Sequence, residues 1–255
     1  MKKYISEFIG TFTLVFIAAG AWALSMQQMA MISPLVIGLT LAAIYIAFAK
    51  ISGAHFNPAV SLGALAAGRL GGVETVFYII AQLLGSLVAA ASVYAIAFGN
   101  LQYQVSVYGL FENGFKDSSL MAYPMQSALI FELIATFLFV LIFLNVTKTD
   151  MKKHLTNAGL AIGFFFAGAY AVGLLIDGGS LNPARSFGPA IVKTLATLST
   201  GEFAALSQLP LFLIVPSIGG LLAGLAYRYL NADDDSEEYV EVEEIVEIEA
   251  SGEQE

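Results

Sequence analysis

The chain has 255 residues, 58% of them hydrophobic and 12% charged, with no cysteine and a formal charge of −9 at pH 7. Soluble domains carry about twice that charged fraction, so a water-soluble fold would lack polar residues for its surface, and disulfide frameworks and thiolate metal sites are excluded. The acidity belongs to one end: residues 233–255 hold 12 of the 20 acidic residues and no basic one, leaving 8 acidic against 11 basic residues in the body and no basic surface for nucleic acid.

Apolar blocks of the roughly 20 residues that a helix needs to cross hydrocarbon fall at about 4–24, 32–50, 75–98, 125–146, 155–175 and 207–230. The first is read as a span and not a cleaved leader, because Glu7 lies within it and no small-residue cleavage pattern follows. In a six-span chain Lys2, Lys3, Lys50, Arg69, Lys148, Lys152, Lys153 and Arg228 fall on one side, against Lys116 and Lys193 on the other. Basic residues in short loops mark the cytoplasmic face, so both termini and the 147–154 loop are expected there.

One offset of 125 residues superposes the two halves. ISEFIGTF at 5–12 meets IFELIATF at 130–137, pairing Glu7 with Glu132. Tyr45 meets Tyr170, and ISGAHFNPAVSLG at 51–63 meets IDGGSLNPARSFG at 176–188. Each half, about 4–98 and 125–230, has three crossings, so the second copy enters the membrane upside down and equivalent loops approach the midplane from opposite faces. Those loops carry Asn57-Pro58-Ala59 and Asn182-Pro183-Ala184. Asparagine caps a helix and proline suits its first position, so each tripeptide starts a helix. The stretches that follow, about 58–68 and 183–194, are too short to span and predict re-entrant half-helices. The fold class is therefore an all-α membrane protein of six transmembrane helices plus two half-helices, with residues 1–230 as the channel domain.

Two half-helices meeting by their N-termini aim positive dipole ends at one point, where Asn57 and Asn182 add amide donors. Such a place suits neutral, hydrogen-bonding solutes and repels cations. Arg185, whose repeat partner is Val60, reads as a second donor and cation barrier in the pore wall, the alternative being an anchor that snorkels to the surface. Glu7 and Glu132 read as acceptors for the loop backbone around the half-helices; a proton relay, which would make the chain a secondary transporter, ranks below that. Gly10, Gly38, Gly63, Gly85, Gly159, Gly163, Gly188, Gly220 and Gly224 read as close-packing positions between helices.

Together the two signature loops and the repeated openings SEFIGTF and FELIATF resemble the major intrinsic protein family, the aquaporins and glycerol facilitators, over about residues 4–230. The resemblance implies a homotetramer in the cell membrane with one pore per subunit, no cofactor or metal, and no enzymatic role. By position in the motifs it also implies a filter of Ile37, Tyr170, Gly179 and Arg185. Water-selective members usually have phenylalanine and histidine at the first two of these positions, and glycerol-selective ones an aspartate after the arginine. This chain has Ser186 there, with Phe212-Leu213 mixed between the two types. The expected function is a passive water channel that excludes protons and ions, with leakage of glycerol or similar neutral solutes. A glycerol facilitator is the main alternative. The acidic tail, 231–255, is expected to be solvated and cytoplasmic, though its alternation of Val or Ile with Glu also suits a short strand on a partner.

Overall fold

The computed structural model describes residues 1–28, 30–148 and 151–232. Six of its helices are long and apolar enough to cross a membrane: α1 (Lys2–Ala23), α2 (Ser33–Ser52), α4 (Gly72–Phe98), α6 (Met125–Val146), α7 (Met151–Ile176) and α9 (Ala204–Leu230). Two shorter ones, α3 (Pro58–Ala66) and α8 (Pro183–Ala196), follow the Asn-Pro-Ala loops, and a single turn, α5 (Val105–Tyr108), lies in the connection between the halves. The chain is thus an all-α, multi-pass membrane protein. Helices α4, α7 and α9 start about one turn before the apolar blocks do, because a helix continues through the polar edge of the membrane where hydropathy has already fallen. The acidic tail, from residue 233 on, lies outside the described residues.

Glycines let these helices close on one another. Gly38 and Gly163, partners in the repeat, face each other between α2 and α7, and a Cβ on either would collide with the other's backbone carbonyl. Gly85 presses against the α1 backbone at Phe8. The half-helices pack across the repeat: α3 lies against α9 of the second half, and α8 against α4 of the first. Gly63 meets Gly220 in the first of these crossings and Gly188 meets Ser86 in the second. Such contact without side chains is how membrane helices gain dispersion energy where no hydrophobic effect separates them from lipid. Polar ends are tied as well: Lys3 of α1 pairs with Glu74 in the first turn of α4, where an acid favours the helix dipole.

Candidate functional site

Both signature loops fold alike. Gly53, Ala54 and Phe56 have φ of +84°, +53° and +50°, and their repeat partners Gly178, Gly179 and Leu181 have +87°, +62° and +53°. Non-glycine residues seldom enter this region unless their surroundings impose it. The buried glutamates supply that constraint. Glu7 accepts from the backbone N–H of His55 (3.0 Å) and Phe56 (2.7 Å), from the Ser52 hydroxyl (2.6 Å) and from the Gln82 amide (2.8 Å). Glu132 accepts from the backbone N–H of Ser180 (2.7 Å) and Leu181 (2.9 Å).

Each loop then turns into its half-helix through a capping asparagine. Asn57 Oδ1 accepts from Ala59 N–H at 2.8 Å, and Asn182 Oδ1 from Ala184 and Arg185 N–H at 3.0 and 3.2 Å, with Pro58 and Pro183 at the first helical positions. The side-chain amides reach across the repeat. Asn57 Nδ2 donates to the Leu181 carbonyl at 2.7 Å and Asn182 Nδ2 to the Phe56 carbonyl at 2.9 Å. Each amide has two N–H bonds, so one on each remains beyond this cross-link.

Arg185 is 2% exposed and does not snorkel to a surface. Its guanidinium donates to Asn113 Oδ1 and, at 3.2 Å, to the Gly178 carbonyl. It lies 5.4 Å from the Tyr170 ring centroid and 4.4 Å from that of Phe111. Gly179 is packed against Tyr170, and Ile37 is buried in the same core. The Tyr170 hydroxyl and Arg185 Nε are both buried without a hydrogen-bond partner among the described residues. A vestibule of about 310 Å³ opens on one side of this set, with Phe111, Asn113 and Gly178 in its wall. A second, of about 270 Å³, opens toward the other end, lined by His55, Arg69, Tyr78 and Phe143. Ile37, Tyr170, Arg185 and the asparagines line neither vestibule and are all scarcely exposed.

Several residues here escaped the sequence. His55 binds Ser61 Oγ through Nδ1 at 3.1 Å, mirrored by Ser180 and Ser186 in the second half. Arg69 donates to the Leu144 and Thr147 carbonyls at 2.7 and 3.0 Å. Asp177, the repeat partner of Ser52, puts a second buried carboxylate near Glu132 and Arg185; its Oδ1 accepts from Gly179 N–H at 2.9 Å. The 125-residue offset would have flagged His55 and Asp177 as places where the halves differ. Phe111 and Asn113 left no such signal, since no repeat covers the connection; Trp22, in α1, has Thr147 at the same offset.

The sequence profile of the family described as "Major intrinsic protein" matches residues 1–227. The chain is 36% identical over 234 residues to the glycerol uptake facilitator protein-like 6 of Lactiplantibacillus plantarum, covering 92% of this chain and 100% of that one. It is 35% identical to aquaporin Z of Photorhabdus laumondii over 239 residues, 91% of this chain and 99% of the other. Among solved structures it is similar to the aquaglyceroporin from Plasmodium falciparum, with a TM-score of 0.74, 25% identity and coverage of 89% and 94%. With two capped half-helices joined head to head and this agreement along nearly its whole length, the chain belongs to the major intrinsic protein family, whose members are passive membrane channels and not enzymes.

Proposed function

We propose that this chain conducts water as its main permeant and passes glycerol as a smaller leak, along a path from one vestibule to the other past Arg185 and the two asparagines. The observation that carries this reading is the head-to-head meeting of α3 and α8 through the Asn57 and Asn182 amides. The helix N-termini put positive potential where those amides offer their remaining N–H bonds, which favours a neutral oxygen and disfavours a cation or proton. Arg185 Nε, buried without a partner among the described residues, supports the same path, because a passing hydroxyl would satisfy it. Ile37, Tyr170, Gly179 and Arg185 serve as the filter, Asn57-Pro58-Ala59 and Asn182-Pro183-Ala184 as the central constriction, and Glu7 and Glu132 as structural supports of the loops. The names of the similar proteins span both water and glycerol.

The subunit reads as one of four around a shared axis in the cell membrane. An apolar groove of about 840 Å³ between α6 and α7, lined by Ile130, Ile134, Leu138, Phe164 and Val172, offers a face for a neighbour. The basic-residue bias puts the termini and the Arg69 vestibule on the cytoplasmic side. Residues 1–230 form the channel domain, and the tail from 231 is a cytoplasmic appendage.

Stopped-flow light scattering on proteoliposomes tests the function. Shrinkage in an osmotic gradient should be roughly tenfold faster than in protein-free vesicles, and glycerol uptake should exceed background by a smaller factor. Water flux equal to that of empty vesicles sinks the proposal. Arg185→Val should raise glycerol uptake by roughly threefold and admit a proton leak, read with a trapped pH dye, because it removes both a donor and a fixed positive charge. Unchanged glycerol and proton fluxes would put Arg185 outside the path.

A further inference from the structure

The connection between the two halves, residues 99–124, has no partner in the repeat, yet its middle reaches the filter. Leu110 and Phe111 are buried although they belong to a loop. Phe111 has φ of +65°, a left-handed conformation that a bulky residue keeps only when its neighbours over-determine it. Those neighbours are on every side. The Tyr103 hydroxyl donates to the Gly109 carbonyl at 2.7 Å. Burial, with the Glu112 carboxylate next, pushes that phenol's pKa above its ordinary value, so it stays a donor. Trp22 Nε1–H and the Gln27 amide donate to the Tyr108 carbonyl at 2.9 and 3.1 Å. Leu110 N–H donates to Glu112 at 2.7 Å, and Glu112 is ion-paired with Lys193 of α8. Gly114 N–H and the Asn113 amide both donate to the Asp177 carbonyl, at 3.0 and 3.1 Å.

So held, the Phe111 ring stacks on Trp22, with centroids 4.5 Å apart and planes 9° from parallel, and lies over the Arg185 guanidinium at 4.4 Å. It also lies 5.9 Å from the Tyr170 ring. Phe111 and Trp22 both line the 310 Å³ vestibule, which Arg185 does not. A solute leaving that vestibule therefore meets the phenylalanine before the arginine. Of the four filter positions assigned by the motifs, Ile37 and Gly179 supply no aromatic wall.

We infer that Phe111 is a further specificity-determining residue, roofing Arg185 from the connecting loop and setting the size limit for solutes entering the filter. The inference rests on the channel reading above. The solutes it admits are water and short, unbranched hydroxylated molecules that can slide a CH edge along the ring while a hydroxyl accepts from Arg185. Longer or branched polyols are stopped at the ring.

The test compares wild type, Phe111→Ala and Phe111→Leu in proteoliposomes, using water, glycerol and the five-carbon polyol xylitol. Wild-type water flux comes first, and its absence overturns the channel reading itself. Given that flux, Phe111→Ala should raise xylitol uptake by roughly tenfold, and raise the ratio of xylitol to water flux. Phe111→Leu should shift the same ratio less. Trp22, the chain's single tryptophan, reports on folding, since its emission should change in the alanine variant while the size-exclusion elution does not. An unchanged ratio in a variant that elutes as wild type overturns the inference. If Phe111→Ala aggregates, Phe111→Leu decides alone: a raised ratio supports the roof and a wild-type ratio overturns it.

Discussion

Glu7→Ala should leave the first half-helix without its anchor, and the protein extracted in detergent should lose most of its folded fraction. The carboxylate serves four donors at once, two of them backbone N–H groups in a loop with left-handed residues on either side. Leaving a buried donor unpaired costs about 1–3 kcal/mol, so the two N–H groups alone forfeit roughly 2–6 kcal/mol of a total stability near 5–15 kcal/mol. Ser52 and Gln82 lose an acceptor in addition. Glu132→Ala removes only the two backbone bonds and should be the milder change, while Glu7→Gln, whose NH₂ placed at Oε1 opposes the His55 N–H but can donate to the Ser52 hydroxyl, should fall between wild type and the alanine variant. Thermal melts followed by size-exclusion chromatography give the order. A Glu7→Ala midpoint within about 2 °C of wild type, where each kcal/mol moves it by roughly that much or more, would deny the carboxylate a structural role.

Gly220→Val should be as damaging by a different route. Gly220 sits where α9 crosses α3, and a Cβ there would overlap the carbonyl of Ala59, the third residue of the first signature tripeptide. The overlap involves backbone, so no rotamer relieves it. Either α9 moves away, which strips α3 of its main partner, or α3 moves and pulls Asn57 off the Leu181 carbonyl. Overpacking of a tight core typically costs about 1–3 kcal/mol, and a clash with the Ala59 backbone belongs at or above the top of that range. Water flux per folded protein should fall along with yield. Gly20→Val in α1, where a Cβ meets only the Leu24 side chain at 3.9 Å, is the matched control and should behave as wild type.

What the sequence revealed followed the repeat. A single offset located both signature loops, paired Glu7 with Glu132, and made Arg185 conspicuous because its partner is valine. The left-handed residues Phe56 and Leu181 were not legible, since neither is a type that prefers φ above zero and only the tertiary bonds to the glutamates impose it. The asparagines were expected to present their amides to the pore, but one N–H of each is spent on the opposite loop, a contact between residues more than a hundred positions apart that no local pattern encodes. Phe111 and Asn113 escape the sequence for a related reason. Residues 99–124 have neither hydropathic period nor repeat partner, and their approach to Arg185 is set by side-chain bonds from α1, α8 and α9. Gly220 and Gly224 were read as a helix-packing pair, and their partner proved to be a half-helix and not another spanning helix.

The docking of α3 on α9, and of α8 on α4, bears on how the protein is made. A ribosome delivers Pro58 long before Ala204, so for much of synthesis the first half-helix has no surface to rest on and its capping asparagine has no carbonyl to reach. The first three crossings are not a small pore waiting to be doubled. They lack one wall and the opposing dipole. The conduit comes into being only when the last helix is threaded into the bilayer, so a growing chain, or one truncated before α9, puts no hole in the membrane that hosts it.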